Sequence, residues 1–145
     1  MSSSYKLGPS GGYGGTAFTD DVLGDFERIK QVTVRHGSVI DGLQITYETK
    51  DGTTHELPSH GGSGGSASNF TLDDDEYITG ISGRYGSLVD SLRIKTNKQE
   101  SDRYGGNGGG ADFDYQVPEG FEMVGFTGRS GSKIDAIGIV IRKRT

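Results

Sequence analysis

Apolar residues along this 145-residue chain recur with a period of two rather than 3.6. Ile29, Val32 and Val34 lead into a polar turn at Arg35, and Val39, Leu43, Ile45 and Tyr47 lead out of it. Tyr77, Ile78 and Ile81, then Leu88, Leu92 and Ile94, frame a second turn. Phe121, Met123, Val124 and Phe126, then Ile134, Ile137, Ile139 and Ile141, frame a third. Such runs, bounded by glycine clusters, predict half-buried strands. No segment has the pattern of an amphipathic helix. Pro58 and Pro118 fall in connections, Pro9 just precedes the first glycine cluster, and Asp51-Gly52 predicts a tight hairpin turn after Tyr47.

The three turns share one pattern, R-x-G-S-x-x-D. It reads Arg35-His36-Gly37-Ser38-Val39-Ile40-Asp41, Arg84-Tyr85-Gly86-Ser87-Leu88-Val89-Asp90 and Arg129-Ser130-Gly131-Ser132-Lys133-Ile134-Asp135. A glycine loop is centred about 21–22 residues ahead of each: Gly11-Gly12-Tyr13-Gly14-Gly15, Gly61-Gly62-Ser63-Gly64-Gly65 and Gly105-Gly106-Asn107-Gly108-Gly109. Two motifs repeating in step, with a period of about 45 to 50 residues, define three equivalent units. Each is too small to bury a core alone, so the units fold together as one domain over residues 1–145. The repeats run roughly over 1–50, 51–100 and 101–145.

Four short strands per unit predict an all-β fold of about twelve strands. Three small sheets around a pseudo-threefold axis would protect most of their edges. A plain sandwich fits the periodicity too, and three blades are too few for a usual propeller.

Composition narrows the function classes. Hydrophobic content is 30 % and 26 residues are Gly, so the concentration of apolar residues in alternating runs is what argues for a folded chain. The net charge of −5 and a pI near 5.1 oppose nucleic acid or an anionic membrane as partner. Arg142-Lys143-Arg144 reads as a solvated strand end. The absence of cysteine excludes disulfides and thiolate metal sites. No apolar signal core follows Met1 and no run is long enough to span a membrane, so a cytoplasmic location is expected. In that setting Asn69-Phe70-Thr71 is not expected to carry a glycan.

A G-G-x-G-G loop can bring backbone N–H groups close to a ligand, because no Cβ intervenes. It can equally be a tight turn needing positive φ, and three copies in phase with an acidic hairpin leave the two readings evenly matched. In G-S-x-x-D, two or three N–H donors can point one way while the Asp folds back as an acceptor. Donors plus a carboxylate suit the vicinal hydroxyls of an uncharged polyol such as a sugar. Alternatively, each Asp caps its own turn. No G-K-[ST] follows the glycines, so a phosphate loop is not expected. Asp41, Asp90 and Asp135 lie on different units and should be far apart, which opposes a paired-acid glycosidase. His36, His55 and His60 read as surface histidines, and Asp73-Asp74-Asp75-Glu76 as a solvated turn rather than a cation site. No cofactor or metal is expected.

Taken together, these residues resemble the jacalin-related lectins, specifically their mannose-binding branch. The resemblance covers essentially the whole chain. It is most specific from Gly125 to Ile139, and again from Pro9 to Phe18. It implies the β-prism I fold, three four-stranded Greek-key sheets with the N- and C-terminal strands sharing one sheet. It also implies how loops pair: Gly15 with Ser132, Lys133 and Asp135; Gly65 with Ser38, Val39 and Asp41; and Gly109 with Ser87, Leu88 and Asp90.

By that resemblance each Asp would accept from a sugar's 4- and 6-hydroxyls. The two N–H groups after the motif glycine would donate to the ring oxygen and the 6-oxygen, and the glycine-loop N–H to the 3-oxygen. An equatorial 4-hydroxyl suits this arrangement, so mannose, and more weakly glucose, are the expected ligands. The galactose-binding branch uses a freed N-terminal glycine, whereas Met1 to Lys6 run straight into the first loop. The expectation is a non-catalytic lectin with three similar but unequal sites, binding mannose-rich glycans multivalently. A prism scaffold for a protein partner is the alternative. Dimers and tetramers are common among the look-alikes, and no stretch here picks out an interface.

Overall fold

The structure is a computed structural model that describes residues 3–21 and 25–144. Met1 and Ser2, the start of the stretch expected to run into the first loop, lie outside them. The described residues form thirteen strands and no helix, and so no helix long and apolar enough to cross a membrane.

Three sheets surround the core. The first joins the chain ends: β1 (Ser4–Gly11), β13 (Ile134–Lys143), β12 (Phe121–Ser130) and β2 (Thr16–Thr19), in that order. The second contains β3 (Phe26–His36), β4 (Ile40–Thr49), β5 (Thr54–Glu56), β6 (His60–Gly61) and β7 (Ser66–Thr71); β5 and β6 both pair with β4, and β7 pairs with β3. The third runs β10 (Tyr104–Gly105), β9 (Val89–Thr96), β8 (Ile78–Tyr85), β11 (Ala111–Gln116). Sheet boundaries therefore cut across the sequential thirds.

The thirteenth strand has a local cause. Leu57-Pro58-Ser59 interrupts one outer strand, splitting it into β5 and β6. Pro58 has no N–H to give to a ladder, while Leu57 turns inward and its N–H still bonds Ile45 O at 2.9 Å. The corresponding outer strands are also broken. β1 shifts register between Leu7 and Ser10, and β10 is preceded by a lone Lys95–Glu100 bridge. Short, interrupted edges resist pairing with other chains.

Val32, Val34, Leu43 and Ile45 from the second sheet, Ile81, Leu92 and Ile94 from the third, and Phe126, Ile137 and Ile139 from the first are buried in one shared cluster. Each such side chain contributes about 1.5–3 kcal/mol on burial. This common core fixes the three hairpins β3–β4, β8–β9 and β12–β13 relative to one another.

Candidate functional site

Each central hairpin ends in an R-x-G-S-x-x-D turn, and all three turns close alike. The Gly37 N–H donates to Val39 O at 3.0 Å, Gly86 to Leu88 O at 2.9 Å and Gly131 to Lys133 O at 3.0 Å. Pairing slips by one residue just after each arginine, between Arg35 and His36, Arg84 and Tyr85, and Arg129 and Ser130. A bulge there twists the hairpin end and re-aims the turn residues beyond it.

Each glycine loop is a strap over such a hairpin end. The strap enters from the outer strand beside the Asp: Gly11 pairs with Ala136, Gly61 with Gly42 and Gly105 with Ser91. Next, the Gly12, Gly62 and Gly106 N–H groups donate to the carbonyls of Asp135, Asp41 and Asp90 at 2.8–2.9 Å. It leaves into β2, β7 or β11 on the far side. Gly15, Gly65 and Gly109 have φ of +70°, +66° and +93°, where a side chain is strained.

The last two glycines of each strap cradle the carboxylate. A Cβ on Gly14 would lie 2.6 Å from Asp135 Oδ2, and one on Gly15 2.8 Å from Oδ1. The same construction gives 2.8 and 2.9 Å for Gly64 and Gly65 against Asp41, and 2.6 and 3.0 Å for Gly108 and Gly109 against Asp90. Glycine is needed at these positions because any side chain would displace the Asp. The structure thus brings Gly15 to Asp135, Gly65 to Asp41 and Gly109 to Asp90.

The carboxylates are not used by their own turns. Among the described residues, no donor is hydrogen-bonded to the side chain of Asp90 or Asp135, and Asp41 meets only Lys133. No buried side-chain oxygen is left without a partner, so the free oxygens of Asp90 and Asp135 face solvent. The turn glycines bond backbone carbonyls instead, which removes the turn-capping alternative. Ser38, Ser87 and Ser132 are exposed at the turn tips, with Val39 and Leu88 half-buried beside them.

The motif arginine has a role that the sequence pattern leaves open, although its presence in all three copies signals one. Arg35 donates to the carbonyls of Ser63, Gly64 and Gly65 at 2.9–3.1 Å. Arg129 donates to Gly14 O and Gly15 O at 3.1 and 2.9 Å. In a trans peptide the C=O and the following N–H point opposite ways. Holding the Ser63 and Gly64 carbonyls toward Arg35 therefore turns the Gly64 and Gly65 N–H groups away from it. Arg129 does the same for the Gly15 and Thr16 N–H groups. Arg84 reaches only Gly109 O, at 2.7 Å, and spends its other end on Asp112. The third strap is thus braced at one carbonyl.

The straps also touch the hairpin tips of other units. A Cβ on Gly12 would collide with the Ser87 carbonyl, one on Gly62 with that of Ser132, and one on Gly106 with that of Ser38. Each strap therefore touches its own hairpin and the tip of another, closing a ring at one end of the prism. His36 adds a tie: the Gly105 N–H donates to its Nδ1 at 3.1 Å, so Nε2 carries the proton and donates to Ser68 Oγ at 2.9 Å.

Three expectations are corrected. His60 is not a plain surface residue: it stacks on Phe18, and its Nε2 lies 2.6 Å from Oδ1 of buried Asp20. Only His55 of the three histidines is exposed. Glu76, the last of the acid run, is 3 % exposed and accepts from the Asp73 N–H, Thr96 and Gln99. Burial pushes its pKa up, but the hydrogen bonds from Thr96, Asp73 and Gln99 outweigh this and hold it below the ordinary value. At the basic strand end, Arg142 packs over Phe26 and bonds Glu122, and Arg144 packs over Tyr77.

The chain's relatives agree with this geometry. The family described as the jacalin-like lectin domain matches residues 7–140. A comparison with curated proteins found no match. Among solved structures, Malaysian banana lectin is 30 % identical with a TM-score of 0.84, over 98 % of this chain and 100 % of that one. A mannose-binding jacalin-related lectin from Ananas comosus is 32 % identical with a TM-score of 0.83, over 97 % and 99 %. A mannose-specific one from Morus nigra, solved with mannose, is 31 % identical with a TM-score of 0.84, over 97 % and 96 %. The three-sheet architecture is the β-prism I fold of those lectins. The chain belongs to the jacalin-like lectin family, whose members bind carbohydrate without catalysis.

Proposed function

We propose that this protein is a mannose-binding lectin with three sugar sites per chain, weaker for glucose, and that it performs no catalysis. One observation carries the reading: three carboxylates that their own turns leave free, each cradled by two glycines of an overlying strap. A carboxylate accepts from two hydroxyls at once, and nearby backbone N–H groups donate to ring and hydroxyl oxygens. Pairs of hydroxyls flanked by oxygens are what a pyranose presents. The equatorial 4-hydroxyl of mannose or glucose reaches such an acceptor, and galactose's axial one misses it. The mannose-binding relatives support the same choice.

The first site is Gly15 with Ser132, Lys133 and Asp135; the second is Gly65 with Ser38, Val39 and Asp41; the third is Gly109 with Ser87, Leu88 and Asp90. In each, the Asp is the acceptor and the backbone N–H groups are the donors. The first strap carries Tyr13, 95 % exposed, where the other two carry Ser63 and Asn107. A single shallow site binds weakly. Three at one end of a rigid prism gain avidity for branched, mannose-rich glycans.

Calorimetric titration with methyl α-mannoside, with methyl α-galactoside as control, tests this. Heat from the mannoside alone, near three sites per chain, is expected. Asp135→Ala, Asp41→Ala and Asp90→Ala should each remove one site and leave the fold intact. Loss of all binding from one substitution, or no heat from mannoside, overturns the reading.

A further inference from the structure

Lys133 takes part in two of the proposed sites. Its backbone lies in the third hairpin, in the first site. Its side chain leaves that hairpin: Ser132 abuts Gly62 of the second strap, and the Lys133 ammonium lies 3.6 Å from Asp41 Oδ2. The other two hairpins place uncharged Val39 and Leu88 at the position of Lys133. The three carboxylates differ accordingly: Asp41 is 5 % exposed, whereas Asp90 and Asp135 are half-buried.

Resting on the sugar-site reading above, we infer that Lys133 sets the affinity of the second site by acting as an internal occupant of the Asp41 carboxylate. The ammonium holds Oδ2, one of the two oxygens that a pair of hydroxyls would use. A neutral sugar must move it to make both bonds. The Lys133 side chain is 45 % exposed on a flexible stem, so it can swing into water. An ion pair this exposed holds a ligand back by no more than about fivefold. The second site is therefore open but weakened, despite having the best-braced strap. Because its opponent is a surface ion pair, its affinity for neutral sugar rises relative to the other two sites as salt is added.

The test is a residue-resolved NMR titration of the 15N-labelled protein with methyl α-mannoside. The amides of Gly15, Gly65 and Gly109 report the three sites separately. In the wild type, Gly65 is expected to saturate last. Lys133→Met keeps the stem and removes the charge. It should tighten the Gly65 site roughly two- to fivefold, with less gain at high salt. The Gly109 site, which Lys133 does not touch, is the internal reference. If Lys133→Met leaves the Gly65 site unchanged or weaker while the other sites respond, the inference is overturned and the lectin reading stands. If none of the three amides responds in the wild type, the sugar-site reading falls, and this inference with it.

Discussion

The two ends of the prism are built differently. At the loop end, the same strap, turn and arginine brace recur three times and interlock through backbone atoms. The opposite end is held by unlike side chains. Thr49, Asp51 and Thr53 close one turn there, while Glu76 gathers the Asp73 N–H, Thr96 and Gln99 in another. Arg28 reaches Asp73 and Asp74, and Arg144 packs on Tyr77. Both ends complete the fold, but only one repeats. Stability alone tolerates three different solutions. Repetition is confined to the end where the three carboxylates are left unused by their own turns, which is where the three proposed sugar sites would need it.

Two glycines with nearly the same backbone sharpen that contrast. Gly61, at the loop end, has φ +90°, and a Cβ there would strike the carbonyl and neighbouring Cα at Asp41 and Gly42. Gly52, at the opposite end, has φ +86° and nothing within 4 Å. Gly52→Ala should cost only the left-handed strain, about 1–2 kcal/mol. Gly61→Ala adds overpacking against backbone that cannot yield, a further ~1–3 kcal/mol. Chemical denaturation of both variants checks this, and equal losses would show that the strap can shift. Gly61→Ala should also weaken the second sugar site, whereas Gly52→Ala should leave sugar binding unchanged.

Next in size is Glu76. Glu76→Ala leaves its three buried-side donors without an acceptor and should destabilise the chain by about 1–3 kcal/mol. Titration with mannoside should be unaltered, because Glu76 lies far from the straps. The converse variant, Asp135→Ala, should remove the first site with little loss in Tm, since no donor depends on that carboxylate. If both variants moved stability and binding together, the two ends would not be separable.

Arg129→Lys is smaller still. Lysine keeps the charge but cannot hold two carbonyls with one planar group. The Gly15 N–H is then less firmly aimed. Losing about one net hydrogen bond, roughly 1 kcal/mol, should weaken the first site by about fivefold. Arg84→Lys should do less to the third site, because Arg84 holds a single strap carbonyl. Equal effects would overturn the bracing role.

These contrasts also mark what the sequence could reveal. The strands, the three turns and the three glycine loops were legible because each rests on local chemistry: alternation, positive φ and a repeated spacing. That the turns leave their own Asp side chains unused was not, since capping and ligand binding ask for the same residue at the same place. What separates the two is that the turn N–H groups do not donate to these carboxylates, the Gly37, Gly86 and Gly131 N–H groups bonding backbone carbonyls instead. The arginine brace was half-legible, present three times but without a visible partner. Lys133 against Asp41 and Glu76 against Thr96 join residues remote in sequence, and no local pattern encodes such contacts. The interruption at Leu57-Pro58-Ser59 was signalled by Pro58, but the inward turn of Leu57 depends on the shared core.

The smallest effect belongs to the Asp51 turn. Its carboxylate accepts from Thr49 Oγ1 at 2.5 Å and from the Thr53 hydroxyl and N–H at 2.7 and 3.0 Å. Those bonds, the Thr49 one foremost, lower its pKa from 3.8 to about 2. A folded-state value below the unfolded one adds stability above pH 3.8, and that contribution is lost as pH falls toward 2. Asp51→Asn keeps the shape and removes the ionisation. The Tm difference between wild type and Asp51→Asn should therefore be constant at neutral pH and shrink between pH 3.8 and about 2. Subtracting the two curves cancels the titration of Glu76 and other groups that do not interact with Asp51, leaving this turn. A difference that persists unchanged at pH 2 would mean the turn depends on Asp51's shape and not its charge. The opposite end would then share with the straps a reliance on backbone geometry rather than ionic contacts.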